Sequence, residues 1–97
     1  MFSSTAFNIR PAAPIDVPAL ELLARLDSRP RPTGRILIGE VDGHAAAAIA
    51  VDSGHVVADP FVPTELLVAH LRLRAASIRA HERMPSVRDR ILAGLRN

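Results

Sequence analysis

The chain of 97 residues has no cysteine, lysine, tryptophan or tyrosine, and only three phenylalanines. The lack of cysteine excludes disulfide bonds and thiolate metal sites, and it is compatible with a reducing compartment. Few aromatic rings leave few surfaces on which bases or sugars could stack. Because all 12 basic side chains are arginine, an isoelectric point near 11.0 accompanies a net charge of only +2. The scarcity of aromatic rings and the low net charge both argue against nucleic acid as a partner.

Long apolar stretches are also missing. The longest segment free of Asp, Glu, Lys and Arg has nine residues, less than half of the ~20 that a spanning helix needs. The first ten residues lack a basic region followed by an apolar one, so we expect no signal peptide and no membrane partner. These absences predict a soluble, cytoplasmic protein.

The remaining composition is that of a globular domain, with 48% apolar and 23% charged residues. A chain of this length holds one core. We therefore expect a single small domain over residues 1–97, with its core in residues 5–83 and a C-terminal appendix in residues 84–97.

The first third of the sequence predicts a strand, a helix and a loop. Residues 5–10 alternate weakly between apolar and polar and are stopped by Pro11. Asp16 occupies an N-cap position before apolar residues at helical spacing, which predicts a helix over about residues 17–27. Proline and glycine make residues 28–34 a loop.

Three short apolar segments then alternate with two turn signals. Asp42-Gly43 suits a two-residue type I′ turn, in which both positions have positive φ, and Ser53-Gly54 marks the second turn. The middle segment is rich in alanine, which prefers helix, but its length between two turns favours a strand. We expect helices to cover both of its faces closely. The predicted strands are residues 36–41, 45–51 and 56–58.

After this meander, Thr64 opens a long helix that we expect to run to about Arg83. Met84-Pro85 then ends the helix, and residues 86–95 form a short final helix. The order β-α-β-β-β-α predicts an α+β fold around one small, mainly antiparallel sheet.

Two segments carry a resemblance to a known family: Asn8-Ile9-Arg10-Pro11-Ala12, before the Asp16-capped helix, and Ile38-Gly39-Glu40-Val41-Asp42-Gly43-His44, before the Ala-rich strand. They resemble the N-terminal half of the GNAT acetyltransferase family. The resemblance spans residues 5–79 and implies a GNAT-like mini-domain.

The family binds acetyl-CoA through a Gly-rich segment between its fourth strand and the next helix. Here the corresponding residues 57–65 contain no glycine, two prolines without N–H donors, and the acids Asp59 and Glu65. We therefore assign no catalytic, cofactor-binding or metal-binding residue and expect no cofactor.

The histidines give no strong site. His44 and His55 follow turns at opposite ends of a meander, so we expect them not to share a metal ion and to be solvated. His70, Arg74, Ser77 and His81 form one helical stripe, which is either a polar or anion-binding strip or a solvated face.

Charge is distributed unevenly along the chain. Residues 36–69 hold five acids and no arginine, net −5, and residues 70–97 hold seven arginines against two acids, net +5. Such a dipole favours either an anionic partner, with Arg72, Arg79 and Arg83 as candidates, or a self-neutralising assembly. A solvated helix is the third interpretation.

The predicted long helix carries two apolar stripes on nearly opposite sides. Leu67, Leu71, Ala75 and Ile78 form the first stripe. Leu66, Ala69, Leu73, Ala76 and Ala80 form the second. One stripe covers the sheet, and the other needs a cover from the first helix, the terminal helix or a second copy. Leu66 and Leu73 are the expected anchors of a two-fold contact.

Three functional hypotheses follow. The first is a non-catalytic GNAT-like mini-domain that associates with another protein, most simply as a homodimer. The alternative is an acyl-CoA-dependent acyltransferase fragment or subunit, completed by a partner. The third is an Arg-rich C-terminal segment that binds an anionic partner.

Overall fold

The structure, a computed structural model, describes residues 6–83 and has the predicted α+β fold. Within these described residues, four strands form one antiparallel sheet in the order β1-β2-β3-β4. The strands are β1 (Phe7–Pro11), β2 (Ile36–Val41), β3 (His44–Ala50) and β4 (Val56–Ala58), and the helices are α1 (Val17–Leu26) and α2 (Glu65–Arg83). The predicted end of the long helix at Met84-Pro85 and the predicted helix over 86–95 lie outside the described residues.

The two hairpin turns differ in kind. Asp42 and Gly43 have φ of 52° and 80°, which confirms the type I′ turn between β2 and β3. The second turn is longer, and the N–H of Gly54, whose φ is 79°, donates to the carbonyl of Ala50 at 2.8 Å. Strand β3 therefore ends at Ala50, although the N–H of Val51 still donates to the carbonyl of Arg35 at 2.8 Å.

Asp16 occupies the predicted N-cap position of α1, and only the capping bond expected from its side chain is absent. It lies at the start of α1, after a single 3-10 turn (Pro14–Asp16), but its carboxylate makes no capping bond to the helix. An N-cap side chain accepts from the second or third helical N–H, and here the second residue is Pro18, which has none. The carboxylate instead accepts the N–H of Ala13 at 2.7 Å and two bonds from Arg10 at 2.8 Å each.

The two helices cover opposite faces of the sheet, because alternate strand residues point to opposite sides. Helix α1 packs with Leu20, Leu23 and Ala24 against Ile38, Ala48 and Val57. Helix α2 packs with Leu67, Leu71 and Ala75 against the other face, around Leu37, Ala47 and Ile49. The expectation that β3 is covered on both sides is confirmed.

A β-bulge and a glycine let α2 approach the sheet closely. The register skips Ala46 between Gly39 and Glu40, so Ala46 and Ala47 both belong to the core under α2. A Cβ atom placed on Gly39 would lie 2.5 Å from Cδ1 of Leu67. Leu67 therefore occupies the volume that any other residue at position 39 would fill.

The residue that follows α1, Asp27, forms a hydrogen bond with the outer edge of β4. Residues 56 and 58 direct their backbone groups away from β3, because residues 55, 57 and 59 make the bonds to that strand. The carboxylate of Asp27, which follows α1, accepts the N–H of Ala58 at 3.0 Å. One helix terminus thus satisfies an edge donor of the sheet.

Arg35 joins three parts of the molecule. Its guanidinium, just before β2, pairs with Asp52 in the β3–β4 turn at 2.7 Å and with Glu82 near the end of α2. The hydrogen bonds from Arg35 lower the pKa of both carboxyl groups. This trio ties the far end of α2 to the sheet.

Candidate functional site: an association surface on α2

The face of α2 that points away from the sheet is apolar and uncovered by the described residues. Leu66 is 57% exposed and Leu73 is 68% exposed. With them lie three exposed alanines, and we call the set the outer stripe: Leu66, Ala69, Leu73, Ala76 and Ala80. Helix α1 packs on the opposite face of the sheet, so it does not cover this stripe. The predicted terminal helix, the other cover considered within the chain, lies outside the described residues.

The spacing of the outer stripe is that of a helix-pairing seam. Its positions follow each other at intervals of 3, 4, 3 and 4 residues, the a/d pattern of a coiled coil. The sheet-facing stripe has intervals of 4, 4 and 3, and its Leu67, Leu71 and Ala75 are fully buried. The two sides of α2 therefore match two different neighbours, a sheet and a second helix.

One flank of the outer stripe carries the candidate arginines. Arg72 and Arg83 are exposed on this flank, as is Glu65 at the opposite end of the helix. Arg79 is half-buried, and its guanidinium donates to the carbonyl of Val51. Arg79 therefore ties α2 to the end of strand β3 and is not a free surface charge.

The other flank carries the polar strip. His70, Arg74, Ser77 and His81 are all exposed there. The ring of His70 meets the ring of Phe7 edge-on, with 5.1 Å between centroids. This contact connects α2 to β1.

A cavity of about 310 Å³ lies between the first turn of α2 and the β1–β2 end of the sheet. Leu66 of the outer stripe forms part of its wall. Its two charged lining residues, Asp42 and Glu65, are exposed and have no ion-pair partner within residues 6–83. The remaining walls are apolar: Phe7, Val41, Val62, Pro63 and Leu67. The N-terminal end of α2 thus borders an apolar cavity that carries two negative charges.

The Arg10 cluster was not predicted from the sequence. Arg10 forms a two-pronged pair with Asp16, whose side chain is buried, and contacts Glu40 at 3.3 Å. The hydrogen bonds from Arg10 and from the Ala13 N–H lower the pKa of Asp16 to about 2. Arg10 and the Asn8 amide also lower the pKa of Glu40. Each charged group of the cluster has a hydrogen-bond partner within it, which marks the cluster as structural.

The β4–α2 loop, where the GNAT resemblance places a phosphate cradle, has three of its four backbone N–H donors already engaged. The N–H of Asp59 donates to Ala46 at 2.8 Å, and that of Phe61 donates to the Asp59 carboxylate at 2.8 Å. The N–H of Val62 donates to the Asp59 carbonyl at 3.4 Å. Pro60 and Pro63 have no N–H. This loop does not present the row of free donors that a phosphate needs.

The remaining histidines lie far apart in the fold. His44 begins β3 at one end of the sheet, and His55 precedes β4 at the other end. Nε2 of His55 lies 2.6 Å from the carbonyl oxygen of Pro30. Residues 6–83 contain no group of three side chains able to hold a metal ion.

Comparisons with known proteins return no matching family model, no similar curated protein and no similar solved structure. The GNAT resemblance therefore stays a prediction. Neither α1 nor α2, the helices of the described part, is long and apolar enough to cross a membrane.

Proposed function

We propose that this protein is a non-catalytic association module that forms a two-fold homodimer through the outer stripe of α2. The observation that carries the proposal is the exposure of Leu66 and Leu73 on a helix whose other side is fully packed. Neighbouring alanines allow a partner helix to approach closely, and the spacing matches helix pairing.

A second copy fits this surface better than an unrelated partner because the ends of α2 complement each other. Glu65 lies at the N-terminal end beside Asp42 of the β2–β3 turn, and Arg83 lies at the C-terminal end, where Glu82 is already paired with Arg35. A two-fold contact is self-complementary, so one surface must supply both halves of every pair. The stripe and the two charged ends meet that requirement.

Burial of two leucines per chain supplies the driving force. Each is worth roughly 1.5–3 kcal/mol when it is fully removed from water. The costs of association and of ordering side chains take up much of this gain. We expect a dimer that dissociates on dilution, with a dissociation constant in the micromolar range.

The test is Leu73→Arg, measured by sedimentation equilibrium. Two charged side chains then meet near the two-fold axis without partners, which costs about 3 kcal/mol or more. We expect dimer affinity to fall at least about a hundredfold, since 1.4 kcal/mol is a factor of ten. Far-UV circular dichroism should show a folded monomer, because residue 73 makes no core contact within the described residues.

Leu22→Arg is the matched control. Leu22 is an exposed leucine on α1, on the opposite face of the sheet, and its replacement should leave the dimer intact. A wild-type protein that is monomeric at tens of micromolar contradicts the proposal. Unfolding of Leu73→Arg contradicts it too, because Leu73 would then be covered by the same chain.

A further inference from the structure

We propose that the second copy docks antiparallel, so that Arg83 of each chain pairs with Glu65 of the other at the mouth of the acidic apolar cavity. This inference rests on the proposed homodimer and adds its orientation and its polar contact. It assigns a role to the cavity that the monomer leaves open.

The positions follow from helix geometry. Leu73 lies at the middle of the outer stripe, so an antiparallel pair centred there sets residue i beside residue 146 − i of the second copy. Leu66 then meets Ala80, a large side chain against a small one. Arg83 is level with Pro63, a cavity residue, and only about 3 Å along the axis from Glu65 at 1.5 Å per residue.

The positions of Glu65 and Arg83 around the axis of α2 also fit an antiparallel pair. Glu65 and Arg83 are separated by 18 residues, five turns at 3.6 residues per turn, so they lie on the same side of α2. In an antiparallel two-fold pair, like flanks face each other. Each Arg83 therefore approaches a Glu65 across the seam, with Asp42 lining the same cavity. Arg83, unlike Arg79, has no hydrogen bond to the described residues of its own chain.

A parallel pair lacks these contacts. It would bring together the two C-terminal ends, with Arg83 from both copies, and the two acidic N-terminal ends. Like charges would meet at both ends of the seam, and the two helix dipoles would align unfavourably. Charge thus selects the antiparallel orientation.

Crosslinking tests the orientation directly, because the natural chain has no cysteine. Full-length Leu66→Cys and Ala80→Cys chains, mixed and oxidised, should form a mixed disulfide dimer. Leu66→Cys alone should not crosslink, because 14 residues, about 21 Å along the axis, separate the two copies of position 66. Leu66→Cys mixed with Leu22→Cys is the matched control and should also remain uncrosslinked.

Charge exchange tests the contact itself. We expect Glu65→Arg and Arg83→Glu each to weaken the dimer roughly three- to tenfold. The double variant should restore affinity to within about twofold. The two side chains are ~27 Å apart within one chain, so such a rescue has to act between chains. The control double variant Glu65→Arg/Arg72→Glu has the same charge and should show no rescue.

Each result decides between the two proposals. Self-crosslinking of Leu66→Cys, or a double variant no better than the single ones, overturns the antiparallel pairing and leaves the homodimer standing. A monomeric wild type overturns both.

Discussion

At the scale of single residues, Asp16 shows how a local signal is redirected by its neighbours. The sequence places an aspartate where a helix cap belongs, but Pro18 removes one of the two N–H groups that such a cap can bind. Arg10 instead donates two charge-assisted hydrogen bonds to the carboxylate, in a two-pronged ion pair. The carboxylate therefore joins β1 to the start of α1.

This pair makes stability depend on acid pH. The pKa of Asp16 is lowered to about 2 in the folded protein from a usual value of 3.8, so its contribution is present above pH 4 and is lost as the pH falls towards 2. We expect Asp16→Asn to lower the urea midpoint at pH 7 and to flatten its decline between pH 4 and pH 2. In this variant part of the decline in the urea midpoint should remain, because the pKa of Glu40 is also lowered in the folded protein.

The matched variant for this prediction is Arg10→Lys, which retains the charge but loses the two-pronged geometry. Its urea midpoint should fall between those of the wild type and Asp16→Asn at pH 7. An Asp16→Asn protein with the wild-type acid dependence would show that the pair does not control it.

At the scale of elements, the close contact between β2 and α2 depends on a glycine, Gly39. Gly39 lies under Leu67, which is only 2% exposed, and an added Cβ would overlap its methyl groups. The strand and the helix are therefore matched as a pair. Neither residue alone explains how closely they pack.

A double-mutant cycle measures this match by urea denaturation. Gly39→Ala should cost about 1–3 kcal/mol of unfolding free energy through overpacking, and Leu67→Ala about 2–5 kcal/mol through the cavity that it leaves. The double variant should lose less than the sum, because the added methyl group occupies part of that cavity. Strict additivity would show that the two side chains do not compete for the same space.

The elements themselves were largely predictable from the sequence. Turn residues such as Asp42-Gly43 and the spacing of Leu67, Leu71 and Ala75 are local signals, and the structure confirms the strands and both helices to within one or two residues. The exposed outer stripe also followed from periodicity. Its partner remains a prediction, since helical spacing shows that a face is apolar and not what covers it.

At the scale of the whole molecule, the Arg35 trio fastens α2 to the β3–β4 turn. Arg35 and Glu82 are 47 residues apart in sequence, and no local pattern connects them. Such distant pairs, and the Arg10 cluster likewise, depend on how elements fold back on each other. This is why the sequence did not reveal them.

Removal of Arg35 should loosen one end of the molecule. We expect Arg35→Met to speed amide hydrogen exchange in the last turn of α2 and in residues 52–54, because both lose their common partner. The exchange rates of β2 and β3 should change little. Arg31→Met is the control, since Arg31 pairs with Glu21 on α1, and unchanged exchange near Glu82 in Arg35→Met would contradict the prediction.

The bond from Asp27 to the Ala58 N–H has a consequence for how copies of this protein can accumulate. An exposed edge strand is a template to which further chains can add strands without limit, as in amyloid growth. Here the last strand has only three residues, and a carboxylate holds one of its outward donors. On that side, Asp27 hinders polymerisation by strand addition, whereas the proposed pairing through α2 is complete after two chains. Asp27 thus favours a closed assembly over an open-ended fibre.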